Sequence, residues 1–201
     1  MTKKEQLNEL RQKMVGDKNL PLKKEATNLV FGDGNPEAKI LAVGEAPGYW
    51  EDKKGLPFVG NAGKLLDQLL SSIDLSREKN VYITNVIHHR PPENRDPLPE
   101  EIVAYSPYLD KIIEIIDPKI IITLGRFSMG KFLPGARISS IHGKPQMVNF
   151  KGKNFMIIPM YHPAAALRNG EVMRQTKEDF LKLPEILKEV NKLEIKQMEL
   201  V

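Results

Sequence analysis

At 201 residues and 22.8 kDa the chain suits one domain with a sizeable core. No run approaches the ~18 apolar residues of a membrane helix, and the start, MTKKEQLNEL, lacks a signal peptide's apolar stretch, so no membrane contact and a cytoplasmic location are expected. The absence of cysteine excludes disulfides, thiolate zinc sites and iron–sulfur ligation, and the net charge of +4 is a mild bias toward polyanions.

No repeat, low-complexity tract or interdomain linker interrupts residues 1–201, so a single domain is expected. Seven Lys or Arg face three acids in the first 24 residues, either a solvated face or a nucleic-acid contact. Residues 4–14 read as a short amphipathic helix. AKILAVG (38–44) is an apolar run ending in Gly, as a buried parallel strand should be. GKLLDQLLSSIDL (63–75) sets Leu65, Leu66, Leu69, Leu70 and Ile73 on one helical face. NVYITNV (80–86) is a second strand, and PEEIVAYSPYLDKIIEII (99–116) opens like a helix N-terminus, with a kink expected at Pro107. KIIITLG (119–125) is a third strand, RFSMGKFL (126–133) a short helix and NFMIIPMYH (154–162) a fourth strand. Helices follow over about 171–200, with Pro184 able to open a new one, and the tail IKQMELV is either a plain end or a docking peptide.

Strands alternating with helices predict an α/β fold: a three-layer sandwich with a central four-stranded parallel sheet flanked by helices. Right-handed crossovers put the C-terminal strand ends on one edge, where open α/β sheets bind ligands. Glu45, Asn85, His88, Gly125 and His162 fall there, an acid, an amide and histidines converging. Three other motifs lead elsewhere. GRFSMGK (125–131) has phosphate-loop spacing, but Phe132 stands where Ser or Thr must hold magnesium; a plain turn with Phe127 and Phe132 in the core fits better. FGDGNP (31–36) precedes the first strand, so it is a turn and not a dinucleotide fingerprint. His88 and His89, successive on a strand, would point to opposite faces and not to one metal.

GEAPG (44–48), ED (51–52), LPFVGNAGKLLD (56–67), VYITNV (81–86), RPPENRDP (90–97) and YHPAAALRN (161–169) together resemble the family 4 uracil-DNA glycosylases, over about residues 20–180. The resemblance implies a DNA-repair enzyme, expected as a monomer, that flips uracil out of DNA and hydrolyses its N-glycosidic bond without a cofactor in the chemistry. It makes Glu45 the carboxylate that stabilises a cationic sugar and orients water, and His162 the donor to uracil O2. Asn85 would read the O4 and N3–H edge, Phe58 would stack on the flipped base, and the Ala46 backbone would lie close to it. Glu51 is carried over as the group beside C5 that keeps thymine out, Leu167 as a minor-groove wedge, and Arg168, Arg90 and Arg95 as phosphate contacts. Tyr49 and Trp50 occupy variable positions and receive no role, although an aromatic there could touch DNA.

Family 4 enzymes usually carry four cysteines that bind a [4Fe–4S] cluster. Here Asp17, Leu20, His89 and Tyr105 stand in that register, so the cluster is expected to be absent, with Leu20 and Tyr105 filling its space. Other readings stay open: a glycosylase for hypoxanthine or xanthine, a non-catalytic damaged-DNA-binding protein on the same fold, or a covalent mechanism through a histidine near His88 and His89.

Overall fold

Four apolar runs form the centre of the fold, each buried along its whole length or nearly so. The computed structural model of the protein describes the backbone of residues 1–198 and side chains to residue 189; the last residues of IKQMELV lie outside it. In chain order the elements are α1 (Lys3–Gly16), β1 (Asp33–Gly34), β2 (Ile40–Gly44), α2 (Tyr49–Lys54), α3 (Asn61–Ser71), β3 (Val81–Asn85), α4 (Pro99–Ile116), β4 (Ile120–Leu124), α5 (Arg126–Phe132), α6 (Ile138–Ile141), β5 (Gln146–Phe150), β6 (Lys153–Met160), α7 (Pro163–Ala166) and α8 (Gly170–Met198).

The sheet has six strands in the order β1-β3-β2-β4-β6-β5. β3, β2, β4 and β6 are parallel, the core the sequence predicts. The two edge strands, β1 and β5, pair antiparallel and extend that four-stranded expectation. Part of FGDGNP is thus not a free turn: Asp33 and Gly34 pair with Ile83 and Tyr82.

Strand alternation divides the core into two faces. Leu41, Val43 and Ile121 pack with Leu7, Leu10 and Met14 of α1 and with Tyr105, Leu109, Ile112 and Ile116 of α4. Ile40, Ala42, Ile120 and Ile122 pack with Leu65, Leu66, Leu69 and Leu70 of α3 and Phe180 and Leu183 of α8. Truncating one such leucine to alanine costs about 2–5 kcal/mol. α3, between β2 and β3, lies on one face and α5, after β4, contributes Phe132 to the other. That reversal opens a crevice between the C-terminal ends of β2 and β4.

α8 continues through Pro184 rather than restarting there, and α4 carries Pro107 within its length. A proline inside a helix deletes one hydrogen bond; in α4 the affected carbonyl belongs to Val103, a residue on the exposed side. Two N-terminal cations close helix ends: Lys3 donates to Ile116 O at 2.7 Å and Lys23 to Val15 O and Asp17 O at 2.5 and 2.7 Å. A cation there complements the helix dipole, a structural use of part of the basic N-terminus.

Candidate active site

A cavity of about 670 Å³ fills the crevice at the C-terminal ends of β2 and β4. Glu45, Ala46, Glu51, Phe58, Asn85, Arg95, His162 and Arg168 of the sequence prediction all line it. Leu167, half exposed, stands next to Arg168, and Arg90 bonds through Nε to Oδ1 of Asn94, which also lines the cavity.

Glu45 leaves β2 directly, and its carbonyl accepts from Ile87 N at 3.1 Å, fastening the strand end to the β3 side. Burial pushes its carboxyl above the ordinary value of 4.5, and the Asp96 charge adds to this; Arg126 and Arg168 oppose it. Glu45 therefore takes up a proton more readily than an exposed carboxylate.

Asn85 ends β3 with 1% exposure, and its Oδ1 has no hydrogen-bond partner within the protein. An unpaired buried acceptor costs on the order of 1–3 kcal/mol, which a ligand donor would recover. Gly44 makes room: a Cβ there would sit 2.3 Å from Asn85 Oδ1 and 2.6 Å from the Phe58 ring.

His162 caps α7, its Nδ1 accepting from Ala164 N at 3.1 Å. The acceptor role of Nδ1 leaves the proton on Nε2. Burial, reinforced by the Arg168 charge, pushes the ring down to about 4, with Glu51 pulling the other way, so His162 is neutral near pH 7. The ring stacks on Phe58, centroids 5.7 Å apart at 29°.

Phe58 is held from both sides. Its φ is +53°, a left-handed conformation that an aromatic residue adopts only under constraint. The Arg77 guanidinium donates to Pro57 O at 3.0 Å and Phe58 O at 2.9 Å, and itself pairs with Asp67 and Asp33. Glu51 Oε1 accepts from Val59 N and Gly60 N, both at 2.8 Å, at the start of α3. A Cβ on Gly63 would fall 1.9 Å from Phe58 O, so only glycine fits there.

The family model described as the uracil DNA glycosylase superfamily matches residues 31–188. The chain belongs to the uracil DNA glycosylase superfamily. It is 46% identical to a type-4 uracil-DNA glycosylase of Sulfurisphaera tokodaii over 90% of this chain and 84% of that protein. It is 44% identical to a type-4 uracil-DNA glycosylase of Archaeoglobus fulgidus, over 90% and 94%. A type-5 uracil-DNA glycosylase of Thermus thermophilus is 31% identical over 82% and 80%.

The iron–sulfur cluster associated with family 4 glycosylases does not fit the residues at its register. The Tyr105 hydroxyl donates to Pro21 O at 2.5 Å and lies 2.6 Å from His89 Nδ1, which therefore donates to it. Asp17 accepts from the Tyr108 hydroxyl at 2.7 Å, and Leu20 is buried. Hydrogen bonds and an apolar side chain occupy the place, with no thiolate among them. No group of three or more His, Cys, Asp or Glu able to hold a metal occurs among the described residues. His88 and His89 follow the end of β3 rather than lying on it, and both rings lie 5.8 Å from that of Tyr105. Burial depresses both, His88 to about 3 and His89 to about 4.

Several cavity residues escape sequence reasoning. Arg126 lines the cavity and pairs with Asp96, yet its motif reads as a failed phosphate loop. Phe127 is only half-buried, beneath the Arg126 guanidinium at 4.5 Å, rather than in the core. Tyr161 lines the cavity beside His142, whose Nδ1 lies 2.6 Å from the buried Asp179 carboxylate. Arg77 is separated in sequence from the loop it clamps by about twenty residues, and only the fold brings them together. Arg95, expected on phosphate, is bonded to the buried Glu101 through both terminal nitrogens, at 2.9 and 2.5 Å, and fixes the 92–98 loop.

Proposed function

We propose that the protein is a uracil-DNA glycosylase that hydrolyses the bond between uracil N1 and deoxyribose C1′ of an extruded nucleotide, with no resident cofactor, as a cytoplasmic monomer. The observation that carries this reading is the meeting of Glu45, Asn85, Phe58 and His162 in one cavity at the sheet's switch point. In this reading Asn85 Oδ1 accepts from uracil N3–H while its amide donates to O4. Cytosine offers the reverse pattern and would leave both groups unpaired, a penalty large enough for firm rejection. Phe58 supplies a flat wall for the base, held ready by Arg77 and Glu51.

As the C1′–N1 bond breaks, its electron pair leaves with the base and positive charge develops on the sugar. The Glu45 carboxylate stabilises that charge and aligns the water whose oxygen bonds to C1′; the water's proton passes to Glu45 or solvent. His162 donates its Nε2 proton in a hydrogen bond to O2, where the departing charge collects. A neutral ring suits this, because its bond strengthens only as that charge grows. Arg126 and Arg168 at the cavity draw in the phosphate backbone.

The experiment is alkali-revealed strand cleavage of matched oligonucleotides carrying uracil, hypoxanthine or xanthine. Cleavage at uracil well above the other two is expected. Preference for hypoxanthine or xanthine would reassign the substrate, and binding without cleavage of any would make the protein a recognition module.

A further inference from the structure

Trp50 is the only tryptophan of the chain, and it lies in the open. It is 55% exposed and its neighbour Tyr49 43% exposed. The two rings meet edge to face, 5.2 Å apart at 79°, so each limits the other's movement. Lys53 Nζ stands 4.9 Å from the Tyr49 ring centre and the Arg90 guanidinium 5.3 Å.

The pair is continuous with the cavity wall on two sides. Gly48 and Glu51, which flank it in sequence, line the cavity, and the Trp50 ring edge lies 3.6 Å from where a Cβ on Gly60 would be. On the other side Arg90 bonds at 2.7 Å to Asn94, another cavity residue. The two cations lie over the Tyr49 ring, which in turn braces the more exposed Trp50; exposed aromatics interleaved with cations form the pattern that holds single-stranded nucleic acid, stacking giving affinity without sequence preference. In a duplex the faces of the bases are covered by their neighbours, so such a surface suits an unpaired base.

We propose that Tyr49 and Trp50 are a stacking platform for an unpaired nucleobase next to the extruded uracil on the same strand, equipping the enzyme for single-stranded DNA. This rests on the glycosylase reading above, and the test separates the two.

The test is titration of Trp50 fluorescence in the wild-type protein with a uracil-free single-stranded oligonucleotide, and with a strand of equal length and charge whose sugars carry no bases. Saturable quenching by the first and little by the second is expected. Quenching equal for both would mean phosphate contact alone and overturn the platform, as would no quenching while the protein excises uracil from a single strand. Steady-state kinetics on a single-stranded uracil oligonucleotide supply the second readout. Trp50→Ala is expected to raise KM roughly 5- to 150-fold, the range of one stacked base, with kcat little changed, and Trp50→Phe to recover most of the loss. An unchanged KM in Trp50→Ala would overturn the proposal. A wild-type protein inactive on uracil in any strand would sink the glycosylase reading instead, and the titration, which needs no turnover, would still decide the platform.

Discussion

Glu51 offers two separable functions to one carboxylate, and a pair of substitutions resolves them. Both backbone bonds, from Val59 N and Gly60 N, end on the same oxygen, Oε1. Hydrogen bonds to a charged group contribute about 1.5–3 kcal/mol each, and two donors sharing one oxygen do not add fully, so Glu51→Ala should cost roughly 2–4 kcal/mol. For a chain of this length that lowers Tm by on the order of 10 °C. Glu51→Gln keeps an oxygen in place and loses only the charge near the start of α3, about 1 kcal/mol. The two variants also differ in the space beside the base. Glutamine preserves the side chain's volume, whereas alanine frees room for a C5 methyl, whose exclusion by packing is worth about 1–3 kcal/mol. Thermal unfolding followed by circular dichroism, with strand cleavage of uracil and G·T substrates, reads both effects. The expected order of stability is wild type, Gln, Ala, with thymine excision gained only in Ala. Glu51→Ala as stable as wild type would refute the clamp on the Phe58 turn. Stability lost as expected with no thymine excision would place the exclusion elsewhere.

Glu45→Gln should lower uracil excision on the order of 100- to 1,000-fold and yet raise Tm, since the raised pKa means the charged form is disfavoured in the fold at neutral pH. In wild type the acid limb of kcat/KM should have its midpoint above 4.5 as Glu45 protonates; in Glu45→Gln only the His162 titration near 4 should remain. His88, His89 and His162 are held neutral, with folded values below the ordinary 6.5, so urea-unfolding stability should fall as pH drops from about 6.5 toward 4 and 3. Arg77→Lys keeps a charge but loses the fork that grips Pro57 O and Phe58 O; a loss of about 2 kcal/mol and a raised KM for uracil DNA are expected. Tyr105→Phe should cost about 1–3 kcal/mol, by leaving Pro21 O and His89 Nδ1 unpaired, with uracil excision unchanged because the network lies outside the cavity.

The parallel core was legible because strands buried on both faces read as unbroken apolar runs, as in ILAVG and IIITL. The edges were not. β1 has two residues, and β5, QMVNF, is half-exposed with mixed polarity, so each is defined by its neighbour more than by itself. Pro184 misled for the opposite reason: a local breaker was overridden by packing of α8, whose Phe180, Leu183 and Ile186 lie on both sides of it in the core. In the site, Glu45, Asn85 and His162 could be placed from strand ends alone. Their supports could not, because Arg77, Asp96, Arg126 and Asp179 act across long stretches of chain and have no local signature.

The most direct test of the central claim is single-turnover release of free uracil from a defined oligonucleotide by wild type, Glu45→Gln, Asn85→Ala and His162→Ala. Stoichiometric uracil release with an abasic strand left behind is expected, with rate losses on the order of 100-fold or more in each variant while thermal unfolding shows a retained fold. Wild-type rates in Glu45→Gln, or no uracil released by the wild-type protein, would contradict that claim.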